Sequence, residues 1–340
     1  MLKSRFACNP LSVFFAFVTI SFIAHAVAGF TQIKRISHHQ THQLNMSSDD
    51  ATQPIRAGFI GCGTIAFSIA SGLANPKHSA YLLEKSLCLE SIYVTRRSES
   101  RSSQLKESYP DKVTVCETAE DVVKNSELVF LCVLPQHVDG VLAELKDKGV
   151  WKEGVHTLVS LVSTSNVEDL IQKTSLPKHN VYKMICLPPI ANREGCALLT
   201  PPAKEHEYLK SMLDALGGCV ECANGDIMNA MMVPGCLMGP MYGIMRNNRD
   251  WLVKQGVSPE DASYFLGRTY LSIVQDAERN SRDPHRFDEL IKEQTPGGLN
   301  EQSLGNLEKQ GVFDAYNNAM DAIKSRLNGK SDGSLPAINK

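Results

Sequence analysis

Apolar and polar positions fall into blocks that change character twice along the chain. Arg56-Ala-Gly-Phe-Ile60 is a short apolar run, and after a glycine turn Phe67–Leu73 continues with helical spacing. Leu89–Thr95 predicts a second strand and Val113–Val115 a short third. Leu128–Leu134 holds seven apolar residues in a row, the pattern of a strand buried on both faces, and Pro135 ends it. His156–Val162 and Val181–Cys186 predict two more strands. Helical segments separate them at about 98–109, 118–125, 137–148 and 166–173. Strands alternating with helices predict an α/β arrangement with a parallel sheet over 55–223.

From residue 205 onward strand signals fade. Gly225–Val233, Met241–Gln255, Pro259–Asn280, Arg286–Gln294 and Asn300–Leu327 read as helices, giving an all-helical region over 224–328 and a disordered tail over 329–340. Met228, Met231, Met232, Met238, Met241 and Met245 make this region methionine-rich, as a core or a subunit interface requires, or a pliable ligand surface.

The segment before residue 55 differs again. Lys3 and Arg5 precede an apolar run from Leu11 to Ala24, followed by small residues at Ala26, Val27, Ala28 and Gly29. This is the order of a secretory signal peptide over 1–29. The run is short of the roughly 20 apolar residues that span a bilayer, so the mature chain is not expected to stay inserted in a membrane. Residues 30–54 read as a transit-like or linker segment; from Phe30 to Ser48 it is basic and free of Asp and Glu. Its composition is similar to the bipartite leaders of algae with complex plastids. That implies delivery to an organelle, a plastid by this likeness, whereas a start at Met46 would give a cytosolic form. His38, His39 and His42 fit a solvated linker, or a metal site.

Composition narrows the class. Hydrophobic residues at 43%, charged at 21% and aromatic at 7% of 340 residues exclude disordered, fibrous and multi-pass membrane proteins and leave room for two domains. The formal charge of -2 hides an asymmetry: the leader holds four basic residues and no acid, so residues 49–340 carry 31 basic against 37 acidic groups, or -6. Nucleic acid, which demands a basic face, is excluded as the main partner. Most of the ten cysteines sit among apolar neighbours, and Cys219-Val-Glu-Cys222, with no second pair, reads as a strand end rather than a zinc or redox motif.

The chemistry begins at Gly61-Cys-Gly63-Thr64-Ile65-Ala66, between strand and helix. Gly61 makes the tight turn, Gly63 lets the backbone approach a pyrophosphate, and Ala66 allows close helix–strand packing. The helix start, at Thr64 and Ile65, offers N–H groups to phosphate. This is the dinucleotide fingerprint of a Rossmann-type domain. After the second strand the chain reads Arg96-Arg97-Ser98 in place of the acid that grips an NAD ribose. Arginines and a hydroxyl suit a 2′-phosphate, which favours NADP(H) over NAD(H), although two arginines at a strand end can simply be solvated.

These residues resemble the pyrroline-5-carboxylate reductase family across nearly all of 56–328. Gly58–Ala66 is similar to the family's opening, and Arg97 with Leu105 and Tyr109 falls where the family has its phosphate-binding arginine and following helix. Val133-Leu-Pro135-Gln resembles the loop near the nicotinamide, and Gly239-Pro-Met-Tyr242 resembles the start of a long helix. Thr295-Pro-Gly-Gly-Leu-Asn300 looks like the family's SPGGTT or SPGGAT turn, followed by a helix and Gly311-Val-Phe313. The resemblance implies an intertwined homodimer formed through the helical domain, with the active site between that domain and the cofactor domain. It also implies reduction of pyrroline-5-carboxylate to proline by NADPH. It departs at Leu134, where the family has lysine, at Ile185-Cys-Leu-Pro-Pro189 in place of MPN, at the bulky Leu299, and at Asn300, where the family has the threonine that bonds the imine nitrogen.

Read bottom-up, the Pro296-Gly297-Gly298 turn lies between two helices. Asn300 can cap the second, leaving its first N–H groups open to a carboxylate, or the segment is a plain connection. The expected roles follow. Gly297 and Gly298 present N–H groups to the substrate beside Leu299, and Thr295 and Asn300 orient the ring or relay a proton. A protonated imine needs no strong base, and no Ser-His-Asp or Cys-His set is evident. Two other readings stay open: a reductase of another imine, ketone or hydroxy acid, and a non-catalytic NADP-binding sensor. The β-hydroxyacid dehydrogenases among the former carry a lysine that does not follow Gly235–Gly239 here until Lys254.

Overall fold

The computed structural model describes residues 52–96 and 99–335. The expected signal peptide, nearly all of the transit-like segment, Arg97, Ser98 and the last residues of the tail lie outside the described residues. Eight strands form one sheet: β1 (Gln53–Ile60), β2 (Leu87–Thr95), β3 (Val113–Cys116), β4 (Leu128–Leu131), β5 (Thr157–Ser160), β6 (Val181–Ile185), β7 (Ala197–Thr200) and β8 (Cys219–Glu221). Their order is β3-β2-β1-β4-β5-β6-β7-β8. The first six are parallel; β7 runs antiparallel to β6, and β8 parallel to β7. The chain winds outward from β1 to β3, then restarts at β4 on the other side of β1. That reversal opens a crevice at the carboxyl ends of β1 and β4, where doubly wound sheets bind ligands.

Helices cover both faces. Against one face lie α1 (Thr64–Ala74), α2 (Ser79–Leu83), α3 (Glu99–Ser108) and α7 (Glu207–Ala215), packed through Ile69, Leu73, Leu82, Leu105 and Leu213 onto Phe59, Ile92, Phe130 and Leu199. The Phe59 and Phe130 rings stack at 4.7 Å. Against the other lie α4 (Ala119–Lys124), α5 (Val138–Asp147) and α6 (Val167–Thr174), packed through Val122, Leu142 and Leu170 onto Ile60, Val129, Leu131 and Leu158. β4 and β5 are buried at every position, which explains why their sequences lack alternation.

Several expectations need correction. β4 stops at Leu131, not Leu134: the Cys132 N–H still donates to the Ile60 carbonyl, but the chain then turns over the strand end and leaves Leu134 exposed. β7, α2 and α7 were not anticipated, whereas the strand end read at Cys219-Val-Glu-Cys222 is β8.

Beyond β8 the chain is helical: α8 (Gly225–Gly235), α9 (Met238–Lys254), α10 (Pro259–Glu278), α11 (Arg286–Lys292), α12 (Leu299–Lys309) and α13 (Val312–Leu327). Side chains fix two of the starts. Asn224 Oδ1 accepts from the Ile227 N–H and Ser258 Oγ from the Asp261 N–H, the latter ahead of Pro259 at the first helical position. The expected single helix over Asn300–Leu327 is two, because Gly311 adopts φ 69° between α12 and α13. This half has almost no core of its own: of all residues in α9 to α13, only Ala262 is buried.

Candidate functional site

The crevice at the sheet's switch point holds a cavity of about 390 Å³ lined by Ile60, Gly61, Thr95, Arg96, Glu117, Ala119, Val133 and Val141. Gly61 has φ 103°, and a Cβ there would lie 2.6 Å from the Cys132 carbonyl oxygen, so the tight turn excludes any side chain. The Gly61 N–H donates to Thr95 Oγ1 at 2.8 Å, tying the turn to the end of β2. A Cβ on Gly63 would meet nothing within 4 Å, so this backbone faces open space. Gly63 is also the N-cap of α1, which has neither a side-chain cap nor an acid in its first turn. The first N–H groups of α1, at Thr64, Ile65 and Ala66, are therefore left to a phosphate, and Ala66 is buried against the sheet. These features fit a dinucleotide pyrophosphate.

Arg96 lines the cavity but is already committed, its guanidinium lying 2.6 Å from a Glu117 carboxylate oxygen. A 2′-phosphate gripped by Arg96 has to compete with that carboxylate. Val133 borders the same cavity; Pro135 borders a smaller one, of about 110 Å³, with Thr164, Ser165 and Asn166. Sequence reasoning missed Thr95, Glu117, Ala119 and Val141 as lining residues. The signal that could have found Thr95 and Glu117 was position, since each lies at or just past the carboxyl end of a parallel strand.

Three thiols crowd this end of the sheet. Burial pushes the Cys62 thiol up to about 11 and Cys186 to about 12, and burial followed by the neighbouring Cys62 and Cys186 raises Cys132 well above its ordinary value. All three stay neutral, so none is a ready nucleophile.

The Pro-Gly-Gly turn connects α11 to α12. Thr295, Pro296, Gly297, Leu299 and Asn300 are exposed, Leu299 to 84%. Two expectations are overturned here. Asn300 is not the cap: Gly298 is the N-cap of α12, and Asn300, two residues in, donates its amide to Gln294 Oε1 at 2.8 Å. Nor are the glycine N–H groups open. Gly298 donates to the Thr295 carbonyl at 2.8 Å and Gly297 to Glu301 Oε2 at 2.5 Å. Within one protomer the turn lies apart from the cofactor cavity, whose lining comes entirely from the first half of the chain.

Residues 56–164 match the family described as NADP oxidoreductase coenzyme F420-dependent, and residues 225–329 match that described as pyrroline-5-carboxylate reductase dimerisation. Pyrroline-5-carboxylate reductase 3 of Danio rerio is 27% identical over 278 residues, covering 80% of this chain and 90% of its own. A pyrroline-5-carboxylate reductase structure from Coxiella burnetii superposes with a TM-score of 0.67 at 21% identity, covering 82% of this chain and 99% of that one. A Plasmodium falciparum pyrroline carboxylate reductase with NADP bound gives 0.61 at 18% identity, covering 82% and 98%. The folds correspond from the dinucleotide turn to the last helix, and with the two domain matches in sequence they make this chain a divergent member of the pyrroline-5-carboxylate reductase family.

Proposed function

We propose that the protein reduces the C=N bond of a cyclic imine with NADPH, with pyrroline-5-carboxylate, the substrate its relatives are named for, as the reference reaction. The observation that carries this reading is the open, uncapped turn at Gly63, joined in one chain to a dimerisation domain that bears the Pro-Gly-Gly turn. When bound, the cofactor supplies a hydride to the imine carbon; the iminium nitrogen, already protonated, becomes the amine. The chain's own residues bind and orient. The α1 start holds the pyrophosphate, Arg96 with Arg97 and Ser98 takes the 2′-phosphate, and Thr295 and Asn300 position the ring.

The reading also needs a second copy of the chain. The turn and the cofactor cavity are separate within one protomer, and the helical half leaves Met241, Tyr242, Trp251, Tyr264, Phe265 and Phe287 exposed. Within Gly225–Lys254 an 18-residue window reaches a mean hydropathy of 1.2, enough by length and composition to cross a membrane. We read it as a surface between copies, since it falls within the dimerisation match. For delivery, residues 1–48 fused to a fluorescent protein are expected to reach an organelle; cytosolic fluorescence would support the start at Met46.

The test of the activity is NADPH oxidation with pyrroline-5-carboxylate, a panel of cyclic imines and a 3-hydroxy acid assayed in reverse. Turnover of an imine supports the reductase. Tight NADPH binding without oxidation by any substrate favours the sensor. Parallel titrations with NADH are expected to show weaker binding than NADPH.

A further inference from the structure

Lys183 breaks the pattern of its strand. β6 lies inside the sheet and reads Val-Tyr-Lys-Met-Ile, hydrophobic as a strand covered on both faces should be, except at this one position. The lysine is only 7% exposed. Its ammonium donates to the Ser163 carbonyl at 2.5 Å and enters none of the ion pairs among the described residues. An ammonium has three donors, so the carbonyl leaves capacity for another acceptor. Burial lowers the Lys183 pKa, and no neighbouring carboxylate offsets the fall. Buried charges are as a rule paired, because an isolated one is costly.

What stands around this cation suits an anion. Register places Thr200 of β7 directly beside Lys183, on the same face of the sheet. Thr200 is 2% exposed, and its hydroxyl has no hydrogen-bond partner among the described residues. Lys183 and Thr200 together line a cavity of about 1080 Å³, bordered by the β5–α6 connection, the start of α8 and the end of α13. It shares no lining residue with the dinucleotide crevice. The three other bases of its lining are exposed and matched by three exposed acids, so Lys183 supplies the net charge. Ile171, Tyr182, Ile323 and Leu327 give it apolar walls. Its size and mixed lining are those of a pocket for a small organic ligand.

We propose that this cavity is a second ligand site, which binds a carboxylic acid with an apolar body, the carboxylate held by the Lys183 ammonium and the Thr200 hydroxyl. A single buried cation balances the single charge of a carboxylate. A phosphate brings a second charge, and the lining offers no second buried cation to meet it. The site does not depend on the reductase reading, and its test needs no turnover.

The experiment is calorimetric titration of the full protein, in the presence of NADP, with octanoate, octanamide and inorganic phosphate. Octanoate is expected to bind at least about tenfold more tightly than octanamide or phosphate, the scale of one hydrogen bond to a charged group. Lys183→Met keeps the length of the side chain and removes its charge. It should weaken octanoate by at least about tenfold and leave octanamide unchanged. Thr200→Val should weaken octanoate severalfold, and Lys204→Ala, at an exposed position of the lining, should not. Failure of octanoate to bind the wild type, as when a second copy of the chain fills the cavity, overturns the proposal. So does equal affinity for octanoate and octanamide, tighter binding of phosphate, or an octanoate affinity that Lys183→Met and Thr200→Val leave intact. Should Lys183→Met not fold, the comparison of octanoate with octanamide and the Thr200→Val variant decide the outcome on their own.

Discussion

Gly61 and Gly63 are two positions apart and answer to different constraints. Gly61 is fixed by its backbone: φ 103° and a carbonyl 2.6 Å from its absent Cβ mean that Gly61→Ala strains and overpacks the turn. We expect that variant to lose about 2 kcal/mol or more of stability, read by chemical denaturation. Gly63 has φ -74° and open space around it, so Gly63→Ala should fold with stability within about 0.5 kcal/mol of wild type. Its methyl group nevertheless stands where the phosphate approaches, and a fluorescence titration should show NADPH binding weakened at least about tenfold. Equal NADPH affinity in wild type and Gly63→Ala would displace the cofactor from this turn. His156 sets a pH dependence. It is 3% exposed, and its Nδ1 accepts from the Lys152 N–H at 2.9 Å, which only the neutral ring can do. Burial is the main cause of its lowered pKa, helped by the Lys152 charge and opposed by the Val123 carbonyl. The unfolded chain, with a histidine pKa of about 6.5, takes up the proton first. The contribution is complete above that pH and is lost as pH falls below it. The melting temperature should drop between pH 7 and pH 5, and His156→Asn, whose Oδ1 can replace the ring nitrogen, should flatten that slope.

At the scale of elements, Gly311 decides the sign of a mutation. If Asn300–Leu327 were one helix, Gly311→Ala would stabilise it by about 1 kcal/mol. With φ 69° between α12 and α13 it should instead destabilise by about 1 kcal/mol, which a urea melt resolves. Apolar periodicity is blind to this, because it reports which face is buried and not the sign of a backbone angle. Strand β4 was legible for the converse reason: a parallel strand buried on both faces must be apolar throughout, and few other segments are. The end of β8 was legible at Cys219-Val-Glu-Cys222, whereas β7, an antiparallel insertion beside the edge strand, was missed. The glycine turn was legible because only glycine meets its geometry. The hold of Glu301 on Gly297 was not, since it depends on a side-chain direction that spacing does not encode. The early end of β4 has the same origin, a chain reversal set by tertiary packing after Cys132.

For the molecule as a whole, the two halves are stabilised differently. The sheet and its helices enclose two continuous cores, whereas α9 to α13 bury only Ala262 and expose Tyr264, Phe265, Ile273 and Val274 along α10. An apolar surface of that kind in water marks an interface or an aggregation hazard. The protein should elute with the mass of a dimer or larger assembly by light scattering, and Phe265→Glu should shift it toward monomer while the sheet domain keeps its circular-dichroism melt. A monomeric wild type at micromolar concentration would contradict the second copy required under the proposed function.

The separation of the Pro-Gly-Gly turn from the cofactor crevice within one protomer has a genetic consequence. Under the proposed function, a defect at Gly63 and a defect at Asn300 would strike opposite contributors to a shared site. Mixing two impaired variants, Gly63→Ala and Asn300→Ala, at NADPH too dilute to fill the Gly63→Ala site should let mixed assemblies form in which one site receives both intact parts. Restored activity of about a quarter of the wild-type level is expected from random pairing of two-fold assemblies. Two inactivating alleles of this protein would then rescue one another, and a single damaged copy would poison a predictable fraction of its partners.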